Sequence, residues 1–276
     1  MPELPEVETI ARALREGGRG AGPIVHARVR SACVLWPPTV AEPGPRAFER
    51  LAQGRVITGV ARRGKYLLLH LDAGWTALVH LRMSGDLQVL PTEAMLPRHT
   101  RLYWDLDDGR RLVFDDPRKF GRWWLTQNPQ SILAPLGPEP LAPDFTPQAL
   151  AQRLRGRRAR LKALLLDQRV IAGIGNIYAD EALHRAGLHP LRPANTLSPD
   201  EIAALWQALR QVLQEGIARN GASIDWMYRG GEFQNEFRVY GRAGQLCYTC
   251  GTPIQRVRVA QRSTHFCPRC QPWPSE

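Results

Sequence analysis

Residues 55–81 of the chain, RVITGVARRGKYLLLHLDAGWTALVHL, contain three short segments rich in aliphatic and aromatic side chains. Each segment has the length of a β-strand, and they span Arg55–Arg62, Lys65–Leu71 and Trp75–Leu81. Four further segments of the same kind occur at Ile24–Ala32, Arg101–Leu106, Arg110–Phe114 and Arg122–Leu125. Turns such as Asp107-Asp108-Gly109 separate neighbouring segments. So many short strands at close spacing predict an antiparallel β-sandwich or barrel.

A helix is predicted ahead of these strands, over residues 2–17. It begins with Pro and Glu and ends at Gly17-Gly18, which are typical start and stop signals. With the strands it forms a first domain over residues 1–133. The next stretch, 134–147, contains five prolines in APLGPEPLAPDFTP, and this composition predicts an interdomain linker.

The second half of the chain is predicted to be helical before it becomes irregular. Helices are expected over Arg158–Gln168 and Asn176–Ala186, the first with a basic face. Ser198-Pro199-Asp200-Glu201 is a capping box that opens the clearest helix. These helices define a domain over residues 148–230, and a separate cysteine-containing module follows at 238–272.

Charge indicates the kind of partner. The chain has 37 basic and 26 acidic residues, a net charge of +11, which favours a polyanion such as nucleic acid or an anionic membrane surface. Residues 1–150 carry 19 basic and 16 acidic groups, whereas residues 151–276 carry 18 and 10. Of the basic residues 34 are Arg and only three are Lys: Lys65, Lys119 and Lys162. Genomic codon bias is an alternative explanation of that skew.

The sequence predicts a cytosolic protein without a membrane segment. No apolar run approaches the roughly 18 residues that would cross a bilayer. The first eight residues are acidic and rich in proline, unlike a signal peptide. Four of the five cysteines form two C-x-x-C pairs and Cys33 stands alone, which favours a metal in a reducing compartment over disulfides.

The cysteine pairs predict one structural zinc ion. Cys247-x2-Cys250 and Cys267-x2-Cys270 have the spacing of a four-thiolate site, which leaves no position open for a substrate. The intervening segment 254–262 alternates in polarity, as a β-hairpin does. A hairpin that is held by zinc and bears Arg258, Gln261 and Arg262 is suited to a DNA groove.

A second candidate binding element lies at residues 172–177, AGIGNI. Its two glycines bend the chain ahead of a helix N-terminus, where backbone N–H groups can bind a phosphate. A plain interhelical turn is the alternative. The basic residues that precede the loop favour phosphate binding, and they include the DNA-binding candidates Arg157 and Lys162.

The N-terminus, PELPEVE at residues 2–8, is either an ordinary helix start or a catalytic element. Removal of Met1, expected before a small second residue, would leave Pro2 with a free secondary amine. With an α-amino pKa near 8, about a quarter of this amine is neutral at pH 7.5, against about a thousandth of an ordinary Lys. Such an amine can attack a sugar C1′ to form an iminium, and Glu3 is placed to move protons to the opening ring.

Together these motifs resemble the formamidopyrimidine-DNA glycosylase family over essentially the whole chain. The segments that carry the resemblance are, in order, PELPEVE at 2–8, RGKYLLL at 63–69, HLRMSG at 80–85, DPRKFG at 116–121, GIGNIYADE at 173–181, and the zinc finger with AQR at 260–262.

The resemblance implies excision of oxidised purines, namely 8-oxoguanine opposite cytosine and ring-opened formamidopyrimidines, followed by cleavage of the abasic strand. Pro2 matches the family's Schiff-base nucleophile and Glu3 its proton donor. Lys65 matches the residue associated with β-elimination, and Arg262 the one associated with δ-elimination.

An enzyme of this kind extrudes its target nucleotide from the duplex and must fill the space left behind. Met83, Arg118 and Phe120 match the family's three void-filling residues, although pattern alone would make Met83 and Phe120 core residues. The positions that match DNA-backbone contacts are His99, Arg157 and Asn176.

The implied fold is a multidomain α+β protein: an N-terminal helix with an antiparallel β-sandwich, a helix-two-turn-helix domain and a C-terminal zinc-finger hairpin. The implied partner is double-stranded DNA with damaged bases. A monomeric bacterial protein in the cytoplasm, associated with the nucleoid through DNA, is expected.

The chain departs from the family pattern in two places. The region that closes over the flipped base, 221–240, is shorter than in many relatives, and Arg157 and Arg158 stand where the family often has lysines. Two alternative functions remain open. One is an endonuclease VIII-type glycosylase for oxidised pyrimidines, and the other is a catalytically silent zinc-containing DNA-binding protein.

Overall fold

A computed structural model describes residues 1–223 and 230–273. Its α-helices are α1 Leu4–Glu16, α2 Pro45–Ala52, α3 Gln130–Leu133, α4 Pro147–Leu154, α5 Leu161–Leu166, α6 Asn176–Arg185 and α7 Pro199–Ala218. Its strands are β1 Val29–Val34, β2 Val40–Glu42, β3 Ile57–Arg63, β4 Tyr66–Leu71, β5 Thr76–His80, β6 Asp86–Pro91, β7 Thr100–Leu106, β8 Arg110–Asp115, β9 Arg122–Thr126, β10 Gln255–Val259 and β11 Arg262–Phe266.

The chain divides into two compact units. Unit 1 contains Met1–Ala134 and the described residues of Asn220–Gly231, and unit 2 contains Pro135–Arg219 and the described residues of Glu232–Glu276. The predicted base-closing region 221–240 therefore contributes to both units, and its residues 224–229 lie outside the described part of the chain.

Unit 1 is the predicted sandwich, with helices α1 and α2 packed against it. A four-stranded sheet has the order β1-β7-β8-β6, and a five-stranded sheet has the order β2-β9-β5-β4-β3. The predicted antiparallel sandwich is confirmed: all pairs are antiparallel except β2 with β9, which run parallel at one edge of the five-stranded sheet. Side chains from both sheets form the core, where the Trp104 and Trp123 rings lie 5.5 Å apart and Phe48 of α2 packs on both.

Helix α1 follows the pattern predicted for it. Glu3 is its N-cap, Pro5 stands in its first turn, and Gly17 ends it with a φ of 94°. Its buried face, which includes Val7, Ile10 and Leu14, joins the sandwich core.

The sequence-based prediction lacked four elements of unit 1, namely α2, α3, β2 and β6, and one strand is shifted. Helix α2 has only eight residues, too few to show a helical repeat, and β6 contains Asp, Gln and Pro, which are uncommon in strands. The first strand begins at Val29 instead of Ile24, because His26 takes a positive φ of 74°.

Unit 2 contains helices α4–α7 and the β10–β11 hairpin. The capping box of α7 forms as predicted: the Ser198 hydroxyl accepts from the Glu201 N–H at 3.2 Å, and the Glu201 carboxylate accepts from the Ser198 N–H at 2.8 Å. Helix α5 is shorter than predicted, because the backbone at Arg160 bridges to Pro193 in an extended conformation. Among the described residues, no helix has the length and apolar character needed to cross a membrane.

The proline-rich stretch 134–147 is ordered against its neighbours in unit 2. The Gly137 N–H donates to the Gln168 carbonyl at 2.8 Å, and the Pro138 carbonyl accepts from the Ala172 N–H at 3.0 Å. Gly137 itself sits so close to Val170 that a Cβ would approach backbone atoms to 2.7 Å. These contacts leave the stretch packed on unit 2 from Pro135 onward.

Candidate active site and nucleic-acid interface

The N-terminal residues Pro2 and Glu3 are buried at the start of α1 in unit 1. The Glu6 carboxylate, itself buried, accepts the Glu3 N–H at 2.7 Å and the Ala222 N–H at 2.8 Å. Gly221 lies against the same side chain with a φ of 80°, and a Cβ there would approach the Glu6 carboxylate to 2.7 Å. One carboxylate thus fixes both the backbone beside Pro2 and the beginning of the segment 220–231.

Lys65 lies at the same end of the sandwich as the start of α1. The Glu8 carboxylate accepts a hydrogen bond from Arg62 at 2.9 Å, and Arg15 further along α1 donates to the Val60 carbonyl at 3.3 Å. These two contacts show that α1 and β3 run antiparallel to each other. The N-terminal end of α1, at Glu3, therefore lies at the same end as the C-terminal end of β3, which leads to Lys65. Lys65 is only 5% exposed, so it is not an ordinary solvated lysine at a strand end.

A buried histidine borders this lysine. His80 of β5 lies opposite Tyr66 of β4, the residue that follows Lys65 in the chain. The Nδ1 atom of His80 accepts the Arg82 N–H at 3.0 Å. Burial, reinforced by the positive charges of Arg82 and Lys65, lowers the pKa of His80 to about 3. The imidazole is therefore neutral at physiological pH and adds no further positive charge beside Lys65.

The void-filling candidates occupy two loops that are joined by Asp116. This residue is fully buried, and its carboxylate accepts hydrogen bonds from the Ser84 hydroxyl and, at 2.7 Å, from the Gly121 N–H. The Ser84 oxygen in turn accepts the Arg118 N–H at 3.2 Å. The Asp116 N–H donates to the His99 carbonyl at 3.0 Å. The loops 82–85 and 116–121 and the residue His99 therefore share one support.

The side chains of these loops point away from the core that pattern alone would assign to them. Phe120 is 49% exposed, Arg118 is exposed with its guanidinium 5.2 Å from the Phe120 ring, and Met83 is half-buried. The backbone beneath them packs tightly on Phe114, because a Cβ at Gly85 or Gly121 would approach its ring to 2.8 Å or 2.3 Å. Both loops are thus rigid at the base and present exposed side chains.

Lys119, between Arg118 and Phe120, supports the same loop. Its ammonium lies 4.2 Å from the centre of the Trp36 ring, and its φ is 61°, in the left-handed region. The backbone N–H groups of Leu35 and Trp36 both donate to the Arg101 carbonyl, and Arg101 Nε donates to the Asp116 carbonyl at 2.8 Å.

In unit 2 the basic residues ahead of the predicted phosphate loop are exposed, Arg157 and Arg158 among them. The loop itself is partly closed internally: Gly173 has a φ of 87°, and its N–H donates to the Gln168 side chain at 2.9 Å. The N-cap of α6 is Gly175, which has no side chain to cap the helix. A phosphate bound as predicted would therefore meet the N–H groups of the first turn of α6, because the Gly173 N–H is already paired.

Lys162 was predicted to contact DNA, but it lies in the interior of unit 2. Its side chain is fully buried, and Nζ is ion-paired with Asp180, which is equally buried. The prediction that Lys162 contacts DNA does not fit this placement, because an ammonium without exposed surface cannot reach a phosphate. The nearby Asn176 is half-buried and donates from Nδ2 to the Ser263 carbonyl at 3.0 Å.

The four paired cysteines form a site that fits zinc. Their Sγ atoms all lie within 4.8 Å of one another, with 3.4 Å from Cys250 to Cys267 and 3.8 Å from Cys247 to Cys270. A tetrahedron with Zn–S bonds of about 2.3 Å has edges of about 3.8 Å. Hydrogen bonds from Thr252 lower the pKa of Cys250, whereas burial raises the pKa values of Cys267 and Cys270.

The zinc-site hairpin carries Arg262 at its tip. Strands β10 and β11 pair in register from Gln255↔Phe266 to Val259↔Arg262, and the two-residue turn Ala260-Gln261 has positive φ at both positions. That conformation is typical of a type I′ turn, which normally uses Asn or Gly. Arg258, Gln261 and Arg262 are all exposed.

Several residues that organise these sites have no assigned role in the sequence-based prediction. They are Glu6, Ser84, Asp116, Asp180 and Glu181. Glu181 accepts three backbone N–H groups, from Arg238, Val239 and Tyr240, at 2.8–3.0 Å. For Asp180 and Glu181 the available signal was a pair of acidic residues within a largely apolar stretch, which marks buried carboxylates that need partners.

Comparison with known proteins agrees with this architecture throughout the chain. Residues 1–123 match the formamidopyrimidine-DNA glycosylase N-terminal domain, 136–227 the formamidopyrimidine-DNA glycosylase H2TH domain, and 244–272 a zinc finger found in FPG and IleRS. The formamidopyrimidine-DNA glycosylase of Chloroflexus aggregans is 52% identical over 277 residues, or 98% of each chain.

Solved structures of the Lactococcus lactis enzyme show the same fold. One is a complex with DNA that contains an oxidised pyrimidine; it has a TM-score of 0.90 and 36% identity and covers 99% of this chain and 100% of its own. Another is a complex with Fapy-dG-containing DNA, with a TM-score of 0.90, 36% identity and coverage of 98% and 100%.

The fold and its sites define a DNA-repair glycosylase that combines a β-sandwich, a helical H2TH domain and a structural zinc finger. Within that class, the chain belongs to the formamidopyrimidine-DNA glycosylase family. The family resemblance, the α+β architecture and the single zinc site predicted from the sequence are all confirmed.

Proposed function

We propose that this enzyme excises oxidised purines through the secondary amine of Pro2 and then cleaves the abasic strand. The observation that carries the proposal is the arrangement within unit 1. A buried Pro2-Glu3 pair begins α1, and a separate group of exposed side chains, Met83, Arg118 and Phe120, shares the rigid support of Asp116. The first group suits covalent chemistry, and the second suits a gap in a base stack.

Pro2 acts after removal of Met1. Its nitrogen attacks C1′ and loses its N–H proton, while the bond from C1′ to the base breaks and the base leaves with the bonding electrons and gains a proton. Glu3 donates a proton to the ring oxygen as the sugar opens, and a cationic iminium forms between C1′ and Pro2. The buried position of both residues limits access of water to that intermediate.

The iminium makes the C2′ proton acidic, and this drives strand cleavage. Loss of that proton and breakage of the C3′–O bond complete β-elimination, for which we propose Lys65 as the cationic group. In δ-elimination a proton leaves C4′ and the C5′–O bond breaks with its electrons on the phosphate oxygen. We propose that Arg262 stabilises this second departing phosphate.

The proposed partner is double-stranded DNA with damaged bases, bound by a monomer in the bacterial cytoplasm. Exposed arginines support this, since Arg157 and Arg158 precede α6 and Arg262 stands on the zinc hairpin. His99 and Asn176 are the other proposed backbone contacts. Arg118 is the residue that we propose to hydrogen-bond the orphaned cytosine.

A preference for oxidised pyrimidines is the second candidate function. The observation in its favour is that the Lactococcus lactis relative has been solved with DNA containing an oxidised pyrimidine as well as with Fapy-dG. The complete set Met83, Arg118 and Phe120 supports the purine preference.

A panel of matched duplexes decides between these functions. Single-turnover excision is measured with 8-oxoguanine opposite cytosine, formamidopyrimidine opposite cytosine, and thymine glycol opposite adenine. The purine proposal expects faster excision of the first two by about tenfold or more. Faster excision of thymine glycol would favour the pyrimidine function, and DNA binding without any excision would indicate a silent protein.

A further inference from the structure

A fully buried ion pair links the helices of unit 2 to the zinc hairpin. Lys162 of α5 and Asp180 of α6 have no exposed side-chain surface, and the ammonium also lies 3.3 Å from the Ser263 carbonyl of β11. Lys162 is one of only three lysines in the chain, and the other basic positions hold 34 arginines.

The second oxygen of Asp180 holds the same strand at a second point. Its Oδ2 accepts the His265 backbone N–H at 3.0 Å and lies 3.2 Å from the His265 Nδ1 atom. The pair therefore binds β11 at residues 263 and 265. Arg262 is the first residue of that strand and directly precedes the first of these points.

Asn176 joins the network at the carbonyl of Ser263, which accepts from Asn176 Nδ2 at 3.0 Å. The residue next to Arg262 thus receives donors from α5 and from the first residue of α6. Because Asn176 is a proposed contact to the DNA backbone, the network fixes the spacing between that contact and the strand backbone that carries Arg262.

The energetics favour a positioning role over a purely stabilising one. Removing two charges from water costs several kcal/mol per ion, and apolar replacement of a buried pair is often neutral for stability. The pair instead fixes the position of β11 against α5 and α6, because the charged atoms keep all their hydrogen bonds only in that one position.

We propose that Lys162 and Asp180 are positioning residues that aim Arg262 and thereby govern δ-elimination, the second strand cleavage. This inference rests on the proposed function, in which Arg262 stabilises the phosphate that departs as the C5′–O bond breaks. It predicts that disturbing the pair changes the ratio of δ to β products and leaves the earlier chemistry at Pro2 intact.

The test uses the full-length zinc-loaded protein and a duplex with 8-oxoguanine opposite cytosine. The double variant Lys162→Met/Asp180→Asn removes both charges at nearly constant volume. We expect its δ-to-β product ratio to fall about tenfold, because a displacement of about 1 Å can cost up to about 10²-fold in a reacting group's contribution. Base release and borohydride cross-linking at Pro2 should stay within about twofold of the parent.

Two further variants separate positioning from general destabilisation. Glu201→Gln weakens the Arg192 ion pair and the capping box in the same unit without contacting the hairpin, so its product ratio should match the parent. His265→Phe keeps the backbone hydrogen bond and loses the ring contact to Asp180. If the double variant does not fold, this milder change should still lower the ratio by about threefold.

The outcomes are distinguishable. The positioning role would be overturned if the double variant and His265→Phe both bound one zinc per protein and both gave the product ratio of the parent. Adding the double substitution to Arg262→Ala should cause no further fall, and a further fall would also contradict it. Absence of base release by the parent protein would instead defeat the proposed function.

Discussion

Single buried side chains control the environment of the N-terminal site. His80 is the clearest case, because burial near Arg82 and Lys65 lowers its pKa to about 3. An unfolded histidine titrates near 6.5, so the unfolded chain takes up a proton in a pH range where the folded protein does not. The stabilising effect of a neutral His80 is therefore complete above pH 6.5 and is lost as the pH falls from 6.5 towards 3.

A His80→Gln variant tests this linkage. Between pH 7.5 and 5.5 the parent should lose about 1.4 kcal/mol of unfolding free energy that the variant does not lose. Urea unfolding of both proteins at the two pH values gives the double difference, which cancels the contribution of other groups. A difference that stays constant with pH would show that the pKa of His80 is the same in the folded and the unfolded chain, and it would contradict the lowered pKa.

The two short loops beneath the proposed void-filling side chains illustrate how one residue supports a larger element. Asp116 joins the loops 82–85 and 116–121 through Ser84 and Gly121. Substitution Asp116→Asn leaves the shape but replaces one acceptor oxygen with a donor, so one of these hydrogen bonds is lost.

We expect Asp116→Asn to slow excision of 8-oxoguanine by about tenfold, because the loops would no longer be held against Phe114. Affinity for undamaged duplex should change by less than about twofold, since that affinity depends on phosphate contacts. Asp108→Asn, in an exposed turn paired with Arg110, is the matched control and should leave excision unchanged. Equal effects of the two substitutions would contradict the supporting role of Asp116.

Elements with a local signal could be predicted, and elements made by distant pairings could not. The capping box of α7, the cysteine spacing and most strands of unit 1 are encoded within a few neighbouring residues. The partners of Asp116 and Lys162 are not, because Ser84 is 32 residues from the first and Asp180 is 18 residues from the second. In the sequence Lys162 therefore resembled a surface phosphate ligand, although its ammonium forms a buried ion pair with Asp180 inside unit 2.

At the level of the whole molecule, charge is divided unevenly along the chain. The net charge of +11 comes mostly from residues 151–276, which carry 18 basic and 10 acidic groups. We thus expect unit 2 to supply most of the non-specific affinity for DNA. The catalytic and void-filling candidates belong mainly to unit 1.

The salt dependence of DNA binding measures this electrostatic contribution to the affinity. Replacing the exposed Arg157 with Gln should lower the slope of log K against log salt by about 1 in magnitude, similarly for all duplex sequences. Arg185→Gln removes the same charge from a residue that is paired with Glu215, and its slope should equal that of the parent. Equal slopes for all three proteins would exclude Arg157 from the phosphate contacts.

The proposed chemistry depends on the amine of Pro2, and borohydride reduction tests the role of that amine most directly. Protein with Met1 removed is mixed with an 8-oxoguanine:cytosine duplex and reduced, and the cross-linked peptide is mapped by mass spectrometry. We predict a cross-link at Pro2 that disappears when a tag precedes this residue and persists in Lys65→Met. Equal cross-linking by the N-terminally blocked protein would contradict the proposed mechanism.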